Sequence, residues 1–73
     1  MGLTAGMISV YINGALQSFE DGITVAKLIE QIDLTGKRIA LECNGEIVSR
    51  SRFPEKALVD GDKLEIIFAV GGG

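Results

Sequence analysis

Two hairpin signals on either side of one amphipathic segment restrict the fold of this chain more than any other feature of its sequence. Asn13-Gly14 and Asn44-Gly45 each separate two short segments in which apolar and polar residues alternate. Both central residues of a type I′ turn have positive φ, and Asn-Gly is the pair that this turn prefers. The sequence therefore predicts one hairpin over residues 8–19 and a second over residues 39–48.

A single helix is predicted between the two hairpins. Its apolar positions have the i, i+3, i+4, i+7 spacing of an amphipathic helix, and they are Val25, Leu28, Ile29 and Ile32. Thr24 is the expected N-cap, because its hydroxyl can accept a hydrogen bond from a free amide of the first turn. Gly36 marks the position by which the helix has ended. A helix with one apolar stripe must bury that stripe against another element, here the sheet.

The last segment alternates as a fifth strand, after a turn at Asp60-Gly61-Asp62. Its residues Leu64, Ile66, Phe68 and Val70 are expected to face the helix. Ile67 and Ala69 then lie on the outer face, where they would contact a docking partner. The predicted fold is an α+β roll of the β-grasp type, a mixed sheet of four to five strands packed on one main helix. Parallel pairing of the first and last strands would satisfy the length and handedness of the crossover.

Size and composition limit the chemistry that the chain can perform alone. A chain of 73 residues forms one thin core, and this one has a net charge of −3, no histidine and a single cysteine, Cys43. These numbers argue against a zinc site, a Ser-His-Asp arrangement and nucleic-acid binding. We expect a cytoplasmic protein without a signal peptide or a membrane span.

Two further positions carry specific expectations. The register of the third strand puts Cys43 on the inner face, where a cysteine behaves as a small inert hydrophobe. The polar connection at residues 50–54 has one expected buried anchor, Phe53. Arg50 and Arg52 in that connection are expected to be solvated, although they could also pair with an acidic partner.

The glycines Gly71, Gly72 and Gly73 form a predicted flexible tail beyond the β-grasp domain of residues 7–70, and residues 1–6 form a predicted disordered extension. A tail without Cβ atoms can enter a narrow channel and present the Gly73 carboxylate to another protein. A carboxylate becomes a good electrophile after adenylation, but the sequence has no phosphate-binding Gly-Lys-Ser/Thr loop. No cofactor is therefore expected on this chain, and a partner enzyme would use the ATP.

The hairpins around one helix, the turn at residues 60–62 and the glycine ending together resemble the ThiS sulfur carriers of bacterial thiamine biosynthesis, over residues 7–73. The resemblance implies that Gly73 is adenylated by a ThiF-like adenylyltransferase and converted to a thiocarboxylate. It further implies sulfur supply from a donor such as a cysteine desulfurase and delivery to a ThiG-like thiazole synthase. The chain would be a monomeric carrier and a substrate of these enzymes, not an enzyme itself.

Three alternatives share parts of this pattern. A MoaD-like subunit would insert the same tail into molybdopterin synthase. A ubiquitin-like modifier would instead join Gly73 to lysines of target proteins through an isopeptide bond. A structural interaction domain would leave the tail without any chemical role. Formation of a thiocarboxylate separates the two sulfur carriers from the other two possibilities.

Overall fold

The computed structural model describes residues 6–68, which form a mixed sheet of five strands with one helix on its inner face. The strands are β1 (Met7–Ile12), β2 (Ala15–Glu20), β3 (Ile39–Cys43), β4 (Glu46–Val48) and β5 (Lys63–Phe68). The helix is α1 (Val25–Gln31), and a short 3₁₀ turn covers Arg50–Arg52. The strand order is β2-β1-β5-β3-β4, with β1 and β5 parallel and the other neighbours antiparallel. The predicted β-grasp topology is confirmed.

Both predicted hairpin turns have the backbone geometry that their sequences require. The φ angles are 50° and 87° at Asn13 and Gly14, and 53° and 88° at Asn44 and Gly45. Positive φ at both central positions is the signature of the type I′ turn, whose twist matches that of the flanking strands. The two Asn-Gly turns therefore determine where β1 is followed by β2 and where β3 is followed by β4.

The helix begins at the predicted cap and ends earlier than Gly36. The Thr24 hydroxyl accepts a hydrogen bond from the Lys27 amide at 3.3 Å. At the other end Asp33 has a φ of 66°, and the Leu34 amide donates to the Ile29 carbonyl at 2.9 Å. This six-to-one bond past a left-handed residue is the Schellman arrangement, which satisfies carbonyls of the last turn and stops the helix at Gln31.

The core lies between the inner face of the sheet and α1, with contributions from the connections on both sides of the helix. Phe53 is buried as predicted, and Ile23 and Leu58 close the core beside it. Its remaining members come from the inner positions of β1, β2, β3 and β5 and from the apolar stripe of α1: Ile8, Val10, Ile12, Phe19, Val25, Leu28, Ile29, Leu41, Cys43, Leu64 and Ile66. The alternation in the sequence therefore identified the inner face correctly along most of the sheet.

Phe68 is the exception, because its side chain is 51% exposed whereas we expected it in the core. It pairs with Ile39, the first residue of β3, at the end of the sheet. A helix of seven residues is about 10 Å long, whereas a strand of six residues spans about 20 Å. The helix therefore cannot cover the whole length of β5, and the last inward position lies beyond the core.

The predicted domain of residues 7–70 extends beyond the described chain at its C-terminal end, and its boundaries stay a prediction. Residues 1–5 and 69–73 lie outside the described chain, and with them Val70, most of the predicted extension and the whole glycine tail. Gly6, which we assigned to the extension, is described, and its carbonyl accepts a hydrogen bond from the Asp21 amide at 3.0 Å. The ordered pairing of β1 with β2 thus continues to the residue before Met7.

Candidate functional site

The candidate site is the end of β5, from which the chain continues toward the glycines. Ile67 lies on the outer face opposite Ala40 of β3 and is 51% exposed. Ala69, its predicted partner in docking, lies outside the described residues together with Gly71, Gly72 and Gly73. The structure thus places one of the predicted site residues, Ile67, and places it on the open face of the sheet.

The turn before β5 holds the start of that strand against β1. The Asp60 carboxylate accepts a hydrogen bond from the Ser9 amide at 2.7 Å, and the Gly61 amide donates to the Ser9 carbonyl at 2.7 Å. Asp62 is buried, and its carboxylate accepts from the Val59 amide and from the Asn44 side chain, both at 2.9 Å. The three residues that stand out in the sequence as a turn are therefore also the anchor of the last strand.

Both hairpin asparagines extend the hydrogen bonding of β5 with their side chains. The Asn44 Oδ1 accepts from the Lys63 backbone amide at 3.0 Å, while the Asn44 backbone N–H donates to the Lys63 carbonyl at 2.8 Å. The Asn13 Oδ1 accepts from the Ile66 amide at 2.7 Å, and its Nδ2 donates to the Ile66 carbonyl at 3.2 Å. Beyond Ile12, where β1 ends, the Asn13 side chain thus bonds to β5 in the place of a neighbouring strand. We expected Asn13 and Asn44 only as turn residues.

An open groove of about 290 Å³ lies beside the exposed end of β5. It is lined by Arg38, Ile39, Ala40, Arg50 and Ile67. The Arg50 guanidinium donates to the Lys37 carbonyl at 3.1 Å, which holds this side chain near the start of β3. Arg52, in contrast, lies 3.8 Å from Glu55 in an exposed ion pair. Of the two arginines noted in the sequence, only Arg50 lines this groove. Arg38 was not identified as a site residue, because Arg50 and Ile67, which share the groove with it, are distant from it in the chain.

Cys43 has the inert environment that its register predicted. The thiol is buried opposite Leu64 of β5, and the Asn44 amide group lies 3.6 Å from its sulfur. Burial raises the pKa of this thiol, and the nearby negative charge of Asp62 raises it further. A neutral, shielded thiol is a poor nucleophile. The cysteine is therefore part of the core.

No helix within residues 6–68 is long and apolar enough to cross a membrane.

The structure is similar to the crystal structure of the thiamine biosynthesis protein ThiS from Geobacter metallireducens. The TM-score is 0.79 and the sequence identity 25%, over 90% of this chain and 100% of that protein. The fold of the described residues is therefore one already observed in a protein named for thiamine biosynthesis.

Two relatives contain segments that are similar in sequence to this chain. The sulfur carrier protein ThiS of Bacillus subtilis is 37% identical over 54 residues, which are 74% of this chain and 82% of that protein. A thiazole synthase of Paramagnetospirillum magneticum is 38% identical over 66 residues, or 90% of this chain, but the chain spans only 20% of the length of that synthase. The family model described as the ThiS family matches residues 10–73. By this match the chain belongs to the ThiS family.

Proposed function

We propose that this chain is a sulfur carrier of thiamine biosynthesis, which carries sulfide as a thiocarboxylate on Gly73 for the synthesis of the thiazole ring. The observation that carries the proposal is the family match, which includes all three glycines and ends at Gly73. The anchored β5 supports it, because a strand fixed at its start and exposed at its end suits the presentation of a tail to a partner. The site of action proposed here is the cytoplasm.

The proposed chemistry takes place on the Gly73 carboxylate in two steps. One carboxylate oxygen attacks the α-phosphorus of ATP in a ThiF-like adenylyltransferase, which forms the acyl-adenylate and releases pyrophosphate. A sulfide equivalent then attacks the carbonyl carbon, and AMP leaves with the former carboxylate oxygen. The product is a thiocarboxylate. A cysteine desulfurase is one donor that can supply sulfur at the required oxidation state when a thiol reductant is present.

The acceptor in this proposal is a ThiG-like thiazole synthase. A segment similar to this chain forms part of the thiazole synthase of Paramagnetospirillum magneticum. Because the similar segment and the synthase share one polypeptide there, we infer that this chain also acts with a thiazole synthase. The chain binds as a monomer in this scheme, since the end of β5 must enter its partner.

Intact-protein mass spectrometry tests the proposal directly. The chain is incubated with ATP, the ThiF-like enzyme and sulfide, and each omission serves as a control. We expect a gain of about 16 Da, the replacement of one oxygen by sulfur, located at Gly73 by fragmentation. A chain without Gly72 and Gly73 should remain folded and should show no gain.

The result that would contradict the proposal is an unchanged mass in the presence of an enzyme that activates another carrier. A covalent adduct to lysines of other proteins, without any sulfur, would instead assign the chain to the protein modifiers. Sulfur incorporation does not distinguish this function from that of a molybdopterin synthase subunit. The loaded chain is therefore supplied both to thiazole synthase and to the large subunit of molybdopterin synthase. Thiazole formation is the expected outcome.

A further inference from the structure

Three basic residues lie together at the end of the domain from which the chain continues toward the glycines. Arg38 and Arg50 line the open groove beside Ile67, and the Lys37 carbonyl accepts from the Arg50 guanidinium at 3.1 Å. All three residues are exposed. They are three of the seven basic residues in a chain of net charge −3, so positive charge is concentrated here against the overall balance. We call this groove of about 290 Å³ the arginine groove.

No carboxylate of the described residues neutralises these cations. The ion pairs within residues 6–68 join Lys27 to Glu30 and Arg52 to Glu55. The Arg50 guanidinium bonds to a neutral carbonyl, which fixes its position and leaves its charge uncompensated. An arginine has five N–H donors, so this bond leaves donors available for a ligand. The arginine groove is therefore a preorganised site for an anion.

The rest of the groove is apolar. Ile39, Ala40 and Ile67 complete its lining, and Ile67 is 51% exposed. Apolar surface beside a charge lowers the local dielectric constant, so an ion pair there is stronger than one surrounded by water. A guanidinium binds a carboxylate through two parallel N–H donors, a geometry that a lysine cannot offer. The groove thus suits a carboxylate better than a cation or a neutral polar group.

The chain itself has a carboxylate within reach of the groove. Phe68, the last described residue, pairs with Ile39 in the groove wall, and five residues follow it up to the Gly73 carboxylate. Five extended residues span at most about 17 Å, so the carboxylate can return to the groove. The return requires a reversal of direction, and Gly71 and Gly72 can adopt the positive φ that a tight turn needs. The length of chain beyond β5 is therefore sufficient.

Tethering favours this carboxylate over anions from solution. The net charge of −3 repels a free anion, whereas a group attached by a short flexible link has an effective concentration on the order of millimolar. An acidic surface of a partner can bind the same cations only once the two proteins meet. In the free chain, the carboxylate that is always present beside the groove is that of Gly73.

We propose that the arginine groove binds the chain's own Gly73 carboxylate, which Arg38 and Arg50 hold against the domain while no partner is bound. The inference goes beyond the proposed function, which concerns chemistry on the same carboxylate inside a partner. In the resting chain the groove limits access to the reactive group. An activating enzyme must withdraw the carboxylate, so its apparent affinity falls in proportion to the fraction of chains whose carboxylate is free.

Nuclear magnetic resonance of the arginine side chains tests the inference. The arginines of the chain are Arg38, Arg50 and Arg52, so their Nε–H signals report two groove residues and one internal control. The wild-type chain is compared at low salt with a chain whose Gly73 ends in an amide, which lacks the terminal charge but keeps every side chain. We expect the signals of Arg38 and Arg50 to differ between the two chains and that of Arg52 to be the same. Salt at about 1 M should remove most of the difference.

Matched substitutions provide a second measurement. Arg38→Gln should release the carboxylate and lower the ¹H–¹⁵N heteronuclear Overhauser effect of Gly72. Arg52→Gln, which removes an equal charge outside the groove, should leave that value unchanged.

Equal arginine signals in the acid and the amide, or an equal shift of all three, would overturn the proposal. Recovery of the wild-type signals when millimolar acetate is added to the amide would also overturn it, because the groove would then be a site for free anions. Failure of the chain to gain sulfur, measured separately by mass, would contradict the proposed function and leave this inference standing.

Discussion

The first four residues of β5 and its last two belong to one strand but have different environments. Leu64 is 1% exposed, and the backbone around it bonds to Asn13 and Asn44 as well as to the neighbouring strands. Ile67 and Phe68 are half exposed, although they still pair with β3. The strand is therefore anchored by packing at its start and supported mainly by one neighbouring strand at its end.

This difference has a direct bearing on how a tail can be presented. An exposed chain end attached to a flexible base would sample many directions, and ordering it in a partner would cost conformational entropy. An anchored base limits those directions without covering the end itself. Stability and accessibility are thus divided between the two parts of a single strand.

The largest expected effect comes from truncation at the anchored part of the strand. Leu64→Ala removes a buried side chain from the centre of the core and should lower the free energy of unfolding by about 3 kcal/mol. Phe68→Ala, the matched truncation at the exposed end, should lower it by about 1 kcal/mol or less. Urea denaturation followed by circular dichroism measures both. Equal losses would show that the two ends of β5 are packed alike.

An intermediate effect is expected from the asparagine that bonds to Ile66. Asn13→Gly keeps a residue that tolerates positive φ but removes both side-chain hydrogen bonds to the Ile66 backbone. The free energy of unfolding should fall by about 2 kcal/mol, because a partly buried amide and carbonyl lose their partners. Amide hydrogen exchange of Ile66 should accelerate more than that of Leu41. Unchanged exchange at Ile66 would mean that the Asn13 side chain does not anchor β5.

The smallest effect concerns Cys43, which lies opposite Leu64 at the anchored part. Burial raises the pKa of its thiol in the folded chain above the value of 9.0 expected in the unfolded chain. Below that value both states hold the proton, so the thiol adds no pH dependence. As the pH rises through 9.0, the unfolded chain loses this proton first, and stability should decline until the folded pKa is reached.

The substitution Cys43→Ala isolates this contribution. The variant keeps Tyr11 and every lysine, so the difference between the two pH profiles of unfolding belongs to the thiol. Urea denaturation between about pH 8 and about pH 10 provides both profiles. Parallel profiles would contradict a raised pKa and would imply that solvent reaches the sulfur.

Much of the fold follows from local sequence. The two Asn-Gly turns, the Thr24 cap and the alternation along β1 and β3 act over a few residues, and each predicted element is present. The inward positions Leu64 and Ile66 were identified from the same alternation, and so was the outward direction of Ile67. The prediction was wrong for Phe68, because alternation specifies a face of the sheet but not how far the helix covers it.

The candidate site was predicted less completely, since its parts are distant in the chain. The glycines and Ile67 are visible as a local pattern, and their roles stay predictions. The groove formed by Arg38, Arg50 and Ile67 depends on three segments that meet only when β3 pairs with β5. Similarly, the contact between Asn13 and Ile66 joins residues 53 positions apart. Neither arrangement leaves a signal at short range.

The sequence by itself determined the elements, their order and the face that β1, β3 and β5 bury, because turns, caps and alternation are local properties of the backbone and its nearest side chains. Only the tertiary structure decided which charges share a surface and which side chains anchor β5. Those features depend on strand register between distant segments, which is set by packing of the whole core. The opposition of Glu42 and Glu65 on the outer face is of this second kind.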